Sequence, residues 1–162
     1  MSGTKHYDAR SFACSKSIGY LLKLSHLLMH DRATAAFAAH DLSFMQWLML
    51  MKLREGSAAT ASDLCKSMHY DTGAVTRLLD QLEERGLLRR ERSKTDRRVV
   101  KLKLTPAGEA QLTELIPVAV DALNAALSEL SKAEFAQLTQ LLNKLIDSLK
   151  AREPAAVKDP AA

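Results

Sequence analysis

Between Asp71 and Leu104 the spacing of apolar residues switches from a helical to a strand period, with a cluster of cations at the switch. Val75, Leu78, Leu79 and Leu82 fall at i, i+3, i+4 and i+7, the single stripe of an amphipathic helix. Asp71 is placed to cap its start, and Gly86 follows Arg85 where the pattern stops, as a residue able to take the left-handed conformation that closes a helix. The spacing therefore predicts a helix over 72–85. Beyond it Val100, Leu102 and Leu104 alternate with Lys101 and Lys103, the period of a half-buried strand, and residues 87–92 supply its partner. Between the two, Ser93-Lys94-Thr95-Asp96-Arg97-Arg98 is turn chemistry, in which Asp96 can accept hydrogen bonds from loop amides and leave Arg97 or Arg98 pointing outward.

The helix also carries a second, polar face. Thr72, Gly73, Thr76 and Arg77 gather near its N-terminal end, small or hydrogen-bonding groups that let a backbone come close to base edges and phosphates. Asp80, Glu83 and Glu84 lie towards the other end, away from phosphates if the helix enters a major groove by its N-terminal residues. Charge follows the same division. Nine Lys and Arg stand against two acids from Arg85 to Lys103. Residues 60–105 hold eleven cations and seven acids, which is the whole of the chain's net charge of +4. Positive charge confined to one module is what phosphate contacts through counterion release require, rather than a generally basic surface.

Upstream, Thr60-Ala61-Ser62-Asp63 has capping-box form, Ala61, Leu64, Cys65 and Met68 make a short apolar stripe, and His69-Tyr70 is a turn. Helix, turn, helix and hairpin in that order make a winged helix-turn-helix with the second helix as reader. The remainder reads as helices: a long one over residues 11–39 with Ile18, Leu21, Leu22, Leu28 and Met29, and one opening at Ser43-Phe44-Met45-Gln46 and running to about residue 54. The latter is apolar over most of its girth and should be buried. Thr105 can cap a further helix with Pro106 in its first position, and Pro117 should kink it. Ser131-Lys132-Ala133-Glu134 opens the last, whose stripe is Phe135, Leu138, Leu141, Leu142, Leu145, Ile146 and Leu149.

The expected fold class is mainly α with a small β-hairpin wing, a winged DNA-binding domain plus a helical dimerisation region. Its parts are a flexible N-terminus over 1–10, N-terminal scaffold and dimerisation helices over 11–58, the winged module over 59–105, C-terminal dimerisation helices over 106–150, and a disordered tail over 151–162. The terminal stripes exceed what one small winged domain can cover, and a second copy supplies the missing surface. With 47% hydrophobic and 26% charged residues the composition is that of an ordinary globular chain. No run is long enough for a membrane span and the start is unlike a signal peptide, which points to the cytoplasm.

The segment TASDLCKSMHYDTGAVTRLLDQLEERGLLRRERSKTDRRVVKLKLTPAGEA resembles the MarR family of bacterial transcriptional regulators, named for multiple antibiotic resistance. The likeness extends over roughly residues 11–150 and is strongest from 60 to 110. It implies that Asp96 positions the wing loop while Arg97 or Arg98, with Lys94 beside them, enters a minor groove. It implies a homodimer whose first and last helices interlock, on a pseudo-palindromic operator with half-sites about 34 Å apart. It also implies a small aromatic or phenolic effector between the dimer helices and the winged domain, with His26, His30, Trp47 and Met51 as candidate lining residues. Trp47 has an equally good place in the core, and Met45, Met49 and Met51 serve packing as well as they serve an adaptable ligand wall.

Other chemistries find less support. The two cysteines, Cys14 and Cys65, are too few and too far apart for a disulfide framework or a metal knuckle. Cys14 stands near the start of the first helix, where peroxide-sensing relatives of the family carry a reactive thiol flanked by tyrosines; the nearby tyrosine here is Tyr20, on another helical face. His26 and His30, four apart on a helix, can share an ion, yet two ligands make no site and no metal or cofactor is expected. A Gly-rich phosphate loop, a G-x-S-x-G elbow and a nominated acid–base set are all missing from the sequence, so an enzyme is not expected. A redox- or metal-sensing regulator of the same fold and a winged-helix protein adaptor stand as alternatives.

Overall fold

The computed structural model describes residues 5–93 and 95–151 of the 162. Lys94 and nearly all of the tail expected over 151–162 lie outside the described residues, as do residues 1–4. The helices are α1 (Ile18–Phe37), α2 (Phe44–Arg54), α3 (Ala61–Met68), α4 (Thr72–Glu84), α5 (Pro106–Glu114), α6 (Ile116–Ala126) and α7 (Lys132–Lys150), with strands β1 (Leu88–Arg92) and β2 (Val100–Leu104) between α4 and α5. This is a mostly helical winged helix-turn-helix with a two-stranded antiparallel hairpin. The chain forms two compact units, one ending at Leu123 and one from Asn124 onward.

Local chemistry sets the element boundaries. Ser43 and Gln46, and likewise Thr60 and Asp63, exchange side-chain and backbone hydrogen bonds as capping boxes at the starts of α2 and α3. Asp71 Oδ1 accepts from the amides of Gly73 (2.7 Å) and Ala74 (3.3 Å), so α4 begins where the sequence places it. Gly86 ends it with φ of +68°. Leu88 pairs with Leu104 and Arg90 with Leu102, so β1 starts one residue later than the alternation indicates. The amide of Leu102 also donates to the carbonyl of Ala59 (2.9 Å), stitching the hairpin to the loop before α3.

Three expectations change. The first helix begins at Ile18, not near residue 11: Cys14–Lys16 form a separate 3-10 turn, and Ser17 is extended and caps α1. The reason lies eleven residues upstream, where the Tyr7 hydroxyl accepts the Ile18 amide (2.8 Å). Tyr7, inside the stretch expected to be flexible, is thereby tied to α1 and packs edge-to-face on Phe12. The kink expected at Pro117 is instead a break at Leu115 between α5 and α6. Pro117 has no amide hydrogen for the carbonyl of Thr113, which accepts from Leu115 and closes α5 early.

The core of the first unit runs through Phe37, Leu42, Trp47, Met49, Leu50, Leu64, Val75, Leu79, Leu82, Leu87, Leu88, Leu102 and Leu112. Helix α2 lies at its centre, as its apolar girth requires. Its one buried polar side chain, Gln46, is satisfied by Ser43 and by Gln81 of α4. Gly108 of α5 rests against Leu87, the residue before β1, so closely that a Cβ there would stand 2.0 Å from the Leu87 carbonyl oxygen. Other apolar surface stays uncovered. Ile18, Leu21, Leu27 and Leu28 of α1 are exposed, and so, within the second unit, are Phe135, Leu138, Leu141, Ile146 and Leu149 of α7. No described helix is long and apolar enough to cross a membrane.

Candidate nucleic-acid interface

Helix α4 buries Val75, Leu79 and Leu82, which turns Thr72, Gly73, Thr76 and Arg77 to solvent as one face. Thr76 is tied down: its hydroxyl donates to the Thr72 carbonyl (2.8 Å), leaving its methyl and oxygen lone pairs outward. The Asp71 cap takes up two of the four free amides at this helix end.

The wing tip is organised by side chains on its own backbone. Buried Ser93 bonds Thr95 through their hydroxyls (2.9 Å) and receives the amides of Thr95 and Asp96. Asp96 Oδ1 accepts the Arg98 amide (2.9 Å) and the Asp96 carbonyl accepts Val99 (3.0 Å), so the carboxylate orders the turn as its position in the sequence indicates. Arg97 and Arg98 are both exposed, without an acidic partner among the described residues. Arginines held on a narrow ribbon in this way suit the negative potential of a minor groove.

Asp80 and Glu83, at the end of α4 away from the expected phosphate contacts, are joined to Arg90 of β1. The guanidinium reaches Asp80 Oδ1 (2.7 Å) and Glu83 Oε2, while Glu83 Oε1 accepts the Arg90 amide (3.0 Å). Burial opposes the charge on Arg90, but the two carboxylates outweigh it and hold the guanidinium above its usual pKa. The strand period alone carries the signal: Leu88 and Arg90 share an inward face, and an inward cation needs acids.

A cavity of about 390 Å³ lies beside the helix-turn-helix. His26 and His30 line it, with Phe44, Met45, Leu48, Lys52, Met68, His69 and Tyr70 among the other walls. Trp47 and Met51 are placed elsewhere. Trp47 is 8% exposed, its indole N–H donates to the Leu112 carbonyl (3.2 Å), and its ring packs on Phe37 and Phe44. Met51 packs on the core and accepts from Arg54. Lys52, Met68, His69 and Tyr70, which the sequence does not single out as lining residues, reach the cavity from α2, from the end of α3 and from the turn that feeds α4. His69 holds that turn in the left-handed conformation, φ +53°. His30 Nε2 is buried without a hydrogen-bond partner among the described residues.

Cys14 is exposed and Cys65 half-buried, both free. Among the described residues no three His, Cys, Asp or Glu side chains gather as a metal site.

Comparison with known proteins agrees with this geometry. The model of the MarR family matches residues 42–100. The transcriptional repressor NicR of Pseudomonas putida is 27% identical over 145 residues, covering 87% of this chain and 89% of that protein. A structure of Bordetella bronchiseptica BpsR, described with the regulation of its DNA binding by 6-hydroxynicotinic acid, superposes with a TM-score of 0.72 at 27% identity over 84% of this chain and 97% of that one. A mutant of Escherichia coli MarR complexed with operator DNA gives 0.70 at 27% identity over 83% and 99%. Residues 42–100, which hold helices α2 to α4 and the wing as far as the start of β2, are thus similar to the MarR family of transcriptional regulators.

Proposed function

We propose that the protein is a homodimeric transcriptional repressor that binds a pseudo-palindromic DNA operator and is released by a small aromatic acid. Thr72, Gly73, Thr76 and Arg77 meet the major groove, and Arg97 or Arg98, set by Asp96 and flanked by Lys94, the minor groove. The observation that carries this reading is the pairing of an exposed polar helix start with two exposed arginines, without an acidic partner among the described residues, on a turn ordered by its own side chains. A protein adaptor has no need of that pairing. The operator complex of the Escherichia coli relative supports the same use here.

The exposed apolar faces of α1 and α7 are closed by a second copy, which sets the two reading helices about one DNA turn apart. The cavity takes the effector. Its apolar walls suit a ring, and Lys52, His26 and His30 suit a carboxylate and a ring heteroatom. Regulation of the Bordetella relative by 6-hydroxynicotinic acid supports that chemistry. Because Met68, His69 and Tyr70 form one wall, an occupant that prefers one setting of this turn shifts the pose of α4. The protein acts in the cytoplasm, by binding and not by catalysis. Mobility shift with duplex selected from a random pool, repeated over a salt series, is the test. Binding should weaken steeply with salt and further with the acid present; salt-insensitive or absent binding would favour the adaptor.

A further inference from the structure

Of the described cations between Arg85 and Lys103, only Arg90 is not exposed. It stands where the hairpin leaves the body of the protein. The pair Leu88 and Leu104 and the residue Leu102 are anchored in or against the core, whereas Arg92 and Val100, the outermost pair, are both exposed. A two-stranded hairpin is marginal alone, so the tip half of the wing takes its direction from its last tie to the body. That tie is Arg90. Asp80 and Glu83, three residues apart on one side of α4, grip the guanidinium from two points, and Glu83 holds the Arg90 amide as well. Neither carboxylate has another ion-pair partner among the described residues. A planar fork held at two points resists swivelling, which one contact through a flexible ammonium would not.

We infer that Arg90 is a positioning residue for DNA recognition, fixing the wing tip relative to the reading helix so that both enter their grooves in one docking event. The inference rests on the DNA-binding reading above. Arg90 directs both terminal guanidinium nitrogens to the carboxylates of α4 rather than to phosphate. Its role is to keep Arg97 and Arg98 at a set reach from Thr76 and Arg77, so that ordering the tip is achieved before DNA is met rather than at its expense.

A merely electrostatic alternative exists: losing Arg90 bares two carboxylates near the DNA path. The experiment removes both effects together. Arg90→Met, Asp80→Asn and Glu83→Gln combined leave no bare charge, and replacing an ion network by neutral groups of similar size is commonly tolerated in stability. Affinity for the duplex selected by the parent is then measured by fluorescence anisotropy in four comparisons. In the parent, joint Arg97→Ala and Arg98→Ala should weaken binding by about tenfold or more; in the triple background the same pair should cost less than about twofold. Thr76→Ala should cost the same factor in both backgrounds. Equal penalties for the tip pair in the two backgrounds, or a Thr76→Ala penalty that falls along with them, would overturn the positioning role. Should the triple variant show no cooperative melt, Arg90→Lys alone decides: an intermediate tip penalty supports the two-point grip and an undiminished one refutes it. A parent that retains no duplex at all would remove the DNA-binding reading itself, a result distinct from either.

Discussion

Replacing Gly108 with Ala should destabilise the protein, although the same change inside a helix ordinarily stabilises it by about 1 kcal/mol. Gly108 lies in the first turn of α5, outside the left-handed region, so its backbone accommodates alanine; the obstacle is space. An added Cβ meets the Leu87 carbonyl oxygen at 2.0 Å and its carbon at 2.9 Å, both backbone atoms that no rotamer change can move. Ordinary carbon–oxygen contact needs about 3.3 Å, so α5 and the Leu87 backbone must part by more than about 1 Å. That movement strains the Thr105 hydroxyl bond to the Gly86 carbonyl (2.6 Å) and the Thr105 amide bond to Leu87 (3.2 Å), each contributing about 1 kcal/mol. It also loosens the packing of buried Leu87, Leu88 and Leu112. Overpacking of about 1 to 3 kcal/mol and about 1 to 2 kcal/mol from the two weakened hydrogen bonds, less the helix gain of about 1 kcal/mol, leave a net loss of about 1 to 4 kcal/mol. Urea unfolding followed by circular dichroism at one fixed protein concentration reads this as a lower midpoint at unchanged slope. A midpoint equal to or above that of the parent would refute the steric account of this glycine.

Arg97→Ala and Arg98→Ala should each lower operator affinity and flatten its salt dependence by about one unit of slope, with the melting temperature unchanged, since both side chains are exposed. Leu141→Asp, at a position 57% exposed in the single chain, should turn the dimer into a monomer by sedimentation at micromolar concentration; a persisting dimer would place the interface elsewhere. Lys52→Ala should weaken binding of an aromatic carboxylate by about tenfold in calorimetry while sparing its neutral amide analogue. The carboxyl of Asp63 is held below its ordinary value by the Ala59 amide and then by Thr60. Its capping contribution is therefore present above about pH 4 and lost as pH falls through the depressed value, so Asp63→Asn should show a smaller loss of stability over that interval.

What could be read from the residues was chiefly what is decided within a few positions along the chain. The caps at Ser43, Thr60, Asp71, Thr105 and Ser131 all form as their sequences indicate, because a side chain reaching an amide three residues on needs no tertiary partner. The stripe of α4 and the alternation of β2 follow equally from a period. Long-range partners were hidden. The start of α1 depends on Tyr7, and the inward place of Arg90 on acids belonging to another element. Helix α2 shows the limit best: its apolar residues surround it, so only the packing of α1, α4, α5 and β2 decides that Met45 and Leu48 face the cavity while Trp47 faces Leu112. His26 and His30 reached the cavity because they share a helical face, and the resemblance that suggested an effector there could not by itself sort the walls from the core.

Trp47 is the single tryptophan of the chain, held between Phe37 and Phe44 with its indole nitrogen bonded to the Leu112 carbonyl. Phe44 in turn is a wall of the cavity. The chromophore therefore sits one aromatic ring away from any guest, and excitation on the red edge of the protein band isolates its emission from that of the three tyrosines. Guest entry, loosening of α5 and loss of the fold would each leave a separate spectral mark, making the unlabelled protein its own optical gauge of occupancy.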